Sequence, residues 1–518
     1  MIKALNLRVC GSLVALMFVV GCTLEPAYLR PDLPVAKTWP DGAVLSPPPA
    51  TMPNGSGMPI AAADIGWRDF FTDPALQRLI EIALINNRDA RIAAINVAAA
   101  QAQYRLQRAE LFPTIDASLI EDAERYPAGV ATASGGGAGA GSSGGSSASG
   151  GGGGTVIRTF SASIGFTAYE IDVFGRLRSL NHEKLEEYFG YQETQRSAII
   201  SLVAEVANGY LSVLADQELL RVTEETLTSQ NASYALVKRS YLAGESSRLD
   251  LRQAESTVDT AKANLALYRR QLGQDTDQLI YLLGAPIPAD LPAGGTINQQ
   301  NLLEELPAGL PSDLLARRPD VIAAEHNLIA ANASIGAARA AFFPSISLTG
   351  NLGTASSELS GLFKDGSRSW TFNPTISLPL FAGGANIANL DIAKQQDQLY
   401  VARYEQTVQS AFQEVSDALI GRSTLDDQLE AELALVTADQ DSYQLSSMLY
   451  KNGIDSYLQV LDAQRTFYTA EQQVVMVKLA RLQNLVTLYK TLGGGWKSNS
   501  APDPLESNGG LKLSASQR

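Results

Sequence analysis

Cysteine, histidine, aromatic side chains and clustered positive charge are all scarce in this chain, and each shortage excludes something. Two Cys and two His among 518 residues leave little for a metal centre or a thiol nucleophile, and neither Cys has a second one at a ligand spacing. Lys and Arg number 40 against 54 Asp and Glu, a formal net charge of −14. Nucleic acid is therefore not an expected partner, because a phosphate-binding face needs clustered Lys and Arg and the sequence has no such cluster. Aromatics make up 7% and hydrophobic residues 45%. With Ala and Gln abundant, that balance suits long helices packed by small side chains rather than a large aromatic core. No nucleophile, base and orienting group stand at a recognisable spacing, so neither catalysis nor a cofactor or metal is expected.

What is present begins with a processing signal. Lys3 and Arg8 precede a mostly apolar run from Gly11 to Val20, followed by Gly21-Cys22. Residues 1–21 read as a secretory signal rather than a membrane span, because the apolar run is too short to cross a bilayer, which takes about 20 such residues. Val19-Val20-Gly21-Cys22 resembles a bacterial lipobox, and the resemblance implies cleavage before Cys22 and acylation of that residue. Thr23, rather than Asp, fits an outer-membrane lipoprotein. Cys10 leaves with the signal, so no intrachain disulfide is possible. Residues 22–66, with Pro47-Pro48-Pro49, read as an extended strap rather than a domain.

The body of the chain is a duplication. Tyr241, Gly244, Leu249 and Ala254 recur as Tyr450, Gly453, Leu458 and Ala463 at one separation, 450 − 241 = 209, and Leu283-Gly284 recurs as Leu492-Gly493 in the same register. Asp89, Asn96, Phe112 and Pro113 recur as Asp320, Asn327, Phe343 and Pro344 at 344 − 113 = 231. The first copy is thus longer by 22 residues (231 − 209) between Pro113 and Gly175, and the tract Ser134 to Gly154, made only of Gly, Ser and Ala, accounts for the excess as a surface loop. Two registers, each held over a long stretch and separated by that one insertion, define two structural repeats, 67–284 and 312–493, joined by a Pro- and Gly-rich connector at 285–311. The polar tail, 494–518, is expected to be disordered beyond Trp496.

Within each repeat the periodicity changes. Asp73 and Pro74 form an N-cap and first helical residue. Segments 114–174 and 344–381 alternate apolar with small or hydroxylic residues, as in Ser345-Ile346-Ser347-Leu348-Thr349, and predict two β-hairpins. Such strands suit a half-buried sheet in water or a barrel with lipid outside and water inside; the lipobox favours the barrel. Proline-free runs follow at 176–241 and 385–450, each about 100 Å long if helical. Turns at 241–250 and 450–459 lead into returning helices. Four strands cannot close a barrel, whose smallest common kind has about eight, so the chain is expected to oligomerise. The fold class is mainly α with a small β part.

The run Leu310-Pro311-Ser312-Asp313-Leu314-Leu315-Ala316-Arg317-Arg318-Pro319-Asp320, with Ala324-Glu325, Ile335-Gly336 and Phe343-Pro344-Ser345, closely resembles the outer-membrane factor lipoproteins of tripartite efflux systems, the TolC-like family of the resistance-nodulation-division type. Trp67 to Asn87 and Tyr450 to Arg465 resemble it too, so the likeness spans nearly all of the mature chain. It implies a homotrimer in the outer membrane of a Gram-negative bacterium, with a 12-stranded β-barrel, four strands per chain, continued by a periplasmic α-helical barrel. An inner-membrane efflux transporter and a periplasmic adaptor (membrane fusion) protein would feed this passive exit channel. The resemblance assigns adaptor contacts to Tyr241, Gly244, Leu249, Asp250, Tyr450, Gly453 and Leu458, and a gate to Leu458, Asp462 and Arg465, which share a helix face at i, i+4 and i+7. Three copies would ring the Asp462 carboxylates, which repel when ionised. Asp455 stands where a basic latch residue can sit, a departure that puts in question any latch to the first tip through Arg248 or Asp250.

Other readings compete. A protein-secretion exit duct shares this architecture. A lipid-anchored fibrous spacer or adhesin would also use long helices, but not four alternating strands. His182 and His326 lie on separate helices without partner ligands and read as solvated or core residues. Arg317-Arg318-Pro319-Asp320 reads as a helix start rather than a phosphate site, and Glu414 with Asp417 as a polar face rather than an acid/base pair.

Overall fold

The computed structural model describes residues 23–32, 34–36, 62–126, 155–300, 302–303, 306 and 317–500. The signal, Cys22, the Gly-Ser-Ala tract and the tail past Ser500 lie outside the described residues. The chain divides into two compact units, one made of residues 1–29, 101–186 and 329–398, the other of 30–100, 187–328 and 399–518.

The first unit contains the sheet. Strands β1 (Asp116–Tyr126), β2 (Thr155–Ile171), β3 (Ser345–Ser356) and β4 (Arg368–Ser377) form an antiparallel meander in the order β1-β2-β3-β4. Cross-strand partners share a face, so register shows which residues stand together. Leu352 pairs with Ile164 and Trp370, and Ile346 with Ile171 and Ile376. On the opposite face Ser163 pairs with Ser118 and Gly353, and Asn351 with Gly165 and Thr371. One face is therefore apolar and the other hydroxylic or amide. The apolar face is uncovered at both margins: Leu119 is 72% exposed and Trp370 75%. A bulge between Phe166 and Tyr169 puts Ala168 at φ 54°, where its N–H donates to Thr349 Oγ1 at 3.2 Å.

The second unit has the larger core. Helix α1 (Pro74–Asn86) starts where it does because Asp73 Oδ1 accepts from the Ala75 and Leu76 amides at 2.7 and 3.3 Å. The other carboxylate oxygen, Oδ2, accepts from Tyr210 Oη, Gly295 N and Gln300 Nε2 at 3.1, 3.1 and 2.6 Å. A buried charge is tolerable only when satisfied in this way. Phe70 stacks on Tyr489 at 4.1 Å, and Tyr489 Oη donates to Ile65 O at 2.6 Å. Phe70, Phe71, Leu76, Leu79 and Ile80 are almost fully buried, each contributing about 1.5–3 kcal/mol.

Helix α2 (Arg88–Ala109) follows α1. Helices α3 (Arg176–Leu242) and α6 (Ala385–Lys451), 67 residues each, run through the chain as the long members of the two repeats, and α4 (Arg248–Leu283) and α7 (Tyr457–Thr491) return from their ends. Helix α5 (Pro319–Ala340) matches α2 in sequence but not in burial. Along α2 only Ala100 is buried, and Ile92 and Ile95 are 54% and 57% exposed; along α5, Val321, Leu328, Ala330, Ala331 and Ala333 are all buried. Helix α3 is the one described helix long and apolar enough to cross a membrane, and most of its apolar window is buried within the protein, which marks it as core.

Two expectations need correction. The chain does not lose order at Trp496: Lys497 O and Ser498 O accept from the Trp67 and Arg68 amides at 2.9 and 3.2 Å, and Ser500 N donates to Asp69 Oδ2 at 2.8 Å. The first two bonds cap the start of the helix at Trp67–Phe70, whose first amides have no partner within that helix, and the third ties the tail to its Asp69 side chain. The end of the strap is likewise not extended, because Ala62–Asp64 form a 3₁₀ turn with Ala62 and Ala63 buried.

Candidate functional site

Both turns at the far ends of α3 and α6 have the same backbone hydrogen bonds. In the first, Gly244 N donates to Tyr241 O at 3.0 Å and Glu245 N to Ser240 O at 2.9 Å; in the second, Gly453 N donates to Tyr450 O at 2.9 Å and Ile454 N to Leu449 O at 3.0 Å. Gly244 and Gly453 sit at φ 81° and 70°, the left-handed conformation that ends a helix and that a side chain disfavours. No side chain approaches either glycine, so backbone geometry rather than packing requires them.

The turns differ at the next helix start. Ser247 caps α4 with a reciprocal box: Asp250 N donates to Ser247 Oγ at 3.1 Å and Ser247 N to Asp250 Oδ2 at 3.0 Å. Ser456 makes no side-chain cap for α7. Its amide is taken at 2.7 Å by Asp455 Oδ1, so Gln459 has no cap amide to reach back to. Asp250 and Asp455 are thus each held within their own turn.

A small core holds the turns together. Tyr457, Val460, Leu461, Val237 and Ala254 are buried, with Tyr234, Leu251, Tyr443 and Tyr450 packed on them. Tyr450 lies 5.2 Å from the Tyr457 ring. Burial, followed by the neighbouring Tyr450, Tyr443 and Asp250, pushes the Tyr457 phenol up to about 12, so it stays neutral. Higher up, Thr223 Oγ1 and Tyr468 Oη lie 2.9 Å apart, and Tyr443 Oη lies 3.1 Å from Ser229 Oγ.

Leu458, Asp462 and Arg465 occupy the opposite, exposed face of α7. Leu458 is 56% exposed. Asp462 and Arg465 meet at 2.7 Å, with side chains 59% and 76% exposed. Among the tip residues, Leu242, Leu249 and Ile454 are exposed at 75%, 65% and 71%, an apolar rim around the two turns. The family resemblance named Leu249, Leu458, Asp462 and Arg465 but not Leu242, Ile454, the Ser247 box or the Tyr457 anchor. Ser-x-x-Asp was the available signal for the box.

The remaining residues noted in sequence separate clearly. Arg318 is buried and bound to Asp320 Oδ1 at 2.9 Å, Glu414 Oε2 at 2.8 Å and Thr491 O at 3.3 Å, which leaves it no role as an anion receptor. Glu414 is thereby an ion-pair partner and not half of an acid/base pair. His326 lies 5.5 Å from the Phe189 ring. His182 is not partnerless: its Nδ1 is 2.8 Å from Glu25 Oε1 and its Nε2 is 3.4 Å from Glu186 Oε1. Sequence inspection missed the first contact because Glu25 lies 157 residues away along the chain. Among the described residues no group of three or more His, Cys, Asp or Glu could hold a metal.

Comparison with known proteins gives this geometry a setting. The sequence profile described as outer membrane efflux protein matches residues 79–285 and 310–494. An antibiotic efflux pump outer membrane protein, ArpC, and a toluene efflux pump outer membrane protein, TtgC, both from Pseudomonas putida, are each 47% identical over 94% of this chain and 95% of their own length. The crystal structure of the open state of the Neisseria gonorrhoeae MtrE outer membrane channel superposes with a TM-score of 0.80 at 39% identity, covering 93% of this chain and 100% of that one. The chain belongs to the outer membrane efflux protein family. It is an outer-membrane exit channel for efflux, with its sheet in the membrane and its helices extending into the periplasm.

Proposed function

We propose that three copies of this chain close one twelve-stranded barrel and a helical tube, forming a passive duct that an inner-membrane transporter feeds through a periplasmic adaptor. The observation that carries this reading is the meander, which among the described residues ends at β1 and β4 with no further strand paired to either. An unpaired edge in lipid leaves backbone groups without partners, so the sheet needs neighbours, and three copies exceed the minimum of about eight strands. The uncovered apolar residues of α2 support the same reading, since the matching face of α5 is buried by its own chain.

In this assembly an acyl chain on Cys22 anchors the strap. The rim of Leu242, Leu249 and Ile454 with the turns at Tyr241, Gly244, Asp250, Tyr450 and Gly453 meets the adaptor. Leu458, Asp462 and Arg465 from each copy form the gate. A ring of carboxylates repels itself, and each intrachain pair with Arg465 offsets this only weakly, because an exposed pair contributes about 0–1 kcal/mol. The relatives named for antibiotic and toluene efflux point to small apolar or amphipathic organic substrates.

Conductance in planar bilayers tests both levels. The wild-type protein is expected to conduct, and Asp462→Ala to raise resting conductance several-fold while leaving stability nearly unchanged. Unaltered conductance in that variant removes the gate assignment; a wild type that never conducts removes the duct.

A further inference from the structure

His182 makes contacts that the channel reading does not use. It stands in the second turn of α3 between two carboxylates, Glu25 of the N-terminal strap at 2.8 Å and Glu186 at 3.4 Å. The Glu25 and Glu186 side chains are only 18% and 12% exposed, so these are not loose surface pairs. Two further features converge on the same strap residues. Arg339, in the last turn of α5, donates from Nη1 to Leu24 O at 3.1 Å. Gly336, one turn earlier, leaves a notch: a Cβ there would lie 2.9 Å from Glu25 Cα and 2.6 Å from Ser179 Oγ.

We propose that His182, as an imidazolium donating from both ring nitrogens, is the positioning residue that docks this chain's own N-terminal segment into a seat formed by Ser179, Glu186, Gly336 and Arg339. The seat is specific in three ways. Charge selects an acidic strap residue, the notch admits its backbone only where α5 lacks a side chain, and Arg339 reads the preceding carbonyl. Hydrogen bonds from His182 to Glu186 and Glu25 hold its imidazolium up to about 10 against the opposing effect of burial, so the seat stays charged at neutral pH. Glu25 lies three residues past Cys22 (25 − 22), and a chain of that length reaches about 10 Å. Docking at Glu25 therefore limits how far from the seat an acyl group on Cys22 can be attached, to about 10 Å. This last consequence rests on the acylation reading above; the docking itself does not.

Hydrogen exchange over residues 23–32 of the full-length purified protein, corrected for intrinsic rates, is the test. We expect His182→Ala and His182→Gln to speed exchange there at least tenfold while the middle of α3 keeps its protection, and His182→Arg to restore most of the wild-type protection. Glu25→Gln acts from the strap side and leaves the body untouched, so it reports even where a His182 variant fails to fold. In the wild type the strap should release as pH climbs through about 10, and in His182→Arg it should not. The groups facing this site are Glu25 on the strap, Glu186 on α3 and Arg339 on α5. Wild-type protection in His182→Gln and Glu25→Gln overturns the proposal. A Cys22→Ser form exported on an ordinary signal separates the two readings: strap protection without an acyl chain keeps the docking, and loss of protection overturns it.

Discussion

The two tip turns share a backbone and differ in how their second helix is fastened. Gly244 and Gly453 end α3 and α6 through matching hydrogen bonds. Beyond them the first turn closes a capping box at Ser247, whereas Ser456 caps nothing with its side chain. Instead the second turn places a ring, Tyr457, in the shared core at the position where the first has the cation Arg248 (457 − 248 = 209). Asp462 and Arg465 stand where the first repeat has the uncharged Gln253 and Ser256. One tip is thus fixed by polar bonds local to its helix start. The other has no side-chain cap, buries Tyr457 where the first has Arg248, and carries the exposed Asp462–Arg465 pair at positions that are uncharged in the first, which suits the end that has to move.

The sharpest way to break this contrast is to remove the ring. Tyr457→Ala empties a site that is 5% exposed and should cost about 3–5 kcal/mol, while Arg248→Ala at the matching position of the first tip should cost under about 0.5 kcal/mol. Chemical unfolding of the two variants checks the ratio, and resting conductance should rise only in the first. Equal losses would mean that the two tips are fastened alike.

A smaller asymmetry lies along the stems. Asp216 of α3 is 4% exposed. Burial first, and Asp275 second, push its carboxyl up to about 7. The second repeat has Leu425 and Asn484 at these positions (216 + 209 and 275 + 209). A carboxyl raised on folding binds its proton more tightly in the folded state, so stability falls as pH climbs from about 4 to about 7 and stays lower above that. Asp275→Asn copies the second repeat, removes the charge repulsion and supplies a donor to ionised Asp216. It is expected to stabilise by about 1–3 kcal/mol at pH 8 and by less at pH 5, measured as melting temperature at the two values. A gain that is the same at both pH values would rule out this ionisation as the cause.

The strands were legible because alternation is local: Trp370, Phe372 and Ile376 against Ser369, Thr371 and Thr375 declares two faces before any partner is known. The long helices and their glycine stops were legible because the duplication shows each twice. Bonds that join distant segments were not. Asp73 reads as an N-cap from two neighbouring residues, but its bonds to Tyr210, Gly295 and Gln300 depend on how the chain folds back. Arg318 with Glu414 and His182 with Glu25 are of the same kind, and the strap residue gives no periodic signal at all. Sequence also misleads at the second tip, where Ser456-x-x-Gln459 fits the capping-box pattern better than Ser247-x-x-Asp250 does.

That exception yields the finest test of the comparison. Ser456 has the hydroxyl and Gln459 the reach, yet the box stays open because Asp455 Oδ1 already holds the Ser456 amide at 2.7 Å. The first tip has Ser246 at this position (455 − 209), and its side chain turns instead to Ser240 Oγ at 2.7 Å. Asp455→Ser should free the amide, let Gln459 reach back and close a second box, gaining about 0.5–1 kcal/mol. The gain should appear as slower exchange at the first amides of α7 and a modest fall in resting conductance, with α4 unaffected. If exchange at those amides is unchanged, Asp455 is not what keeps the second tip uncapped, and the two turns differ for a reason that lies in the packing around Tyr457.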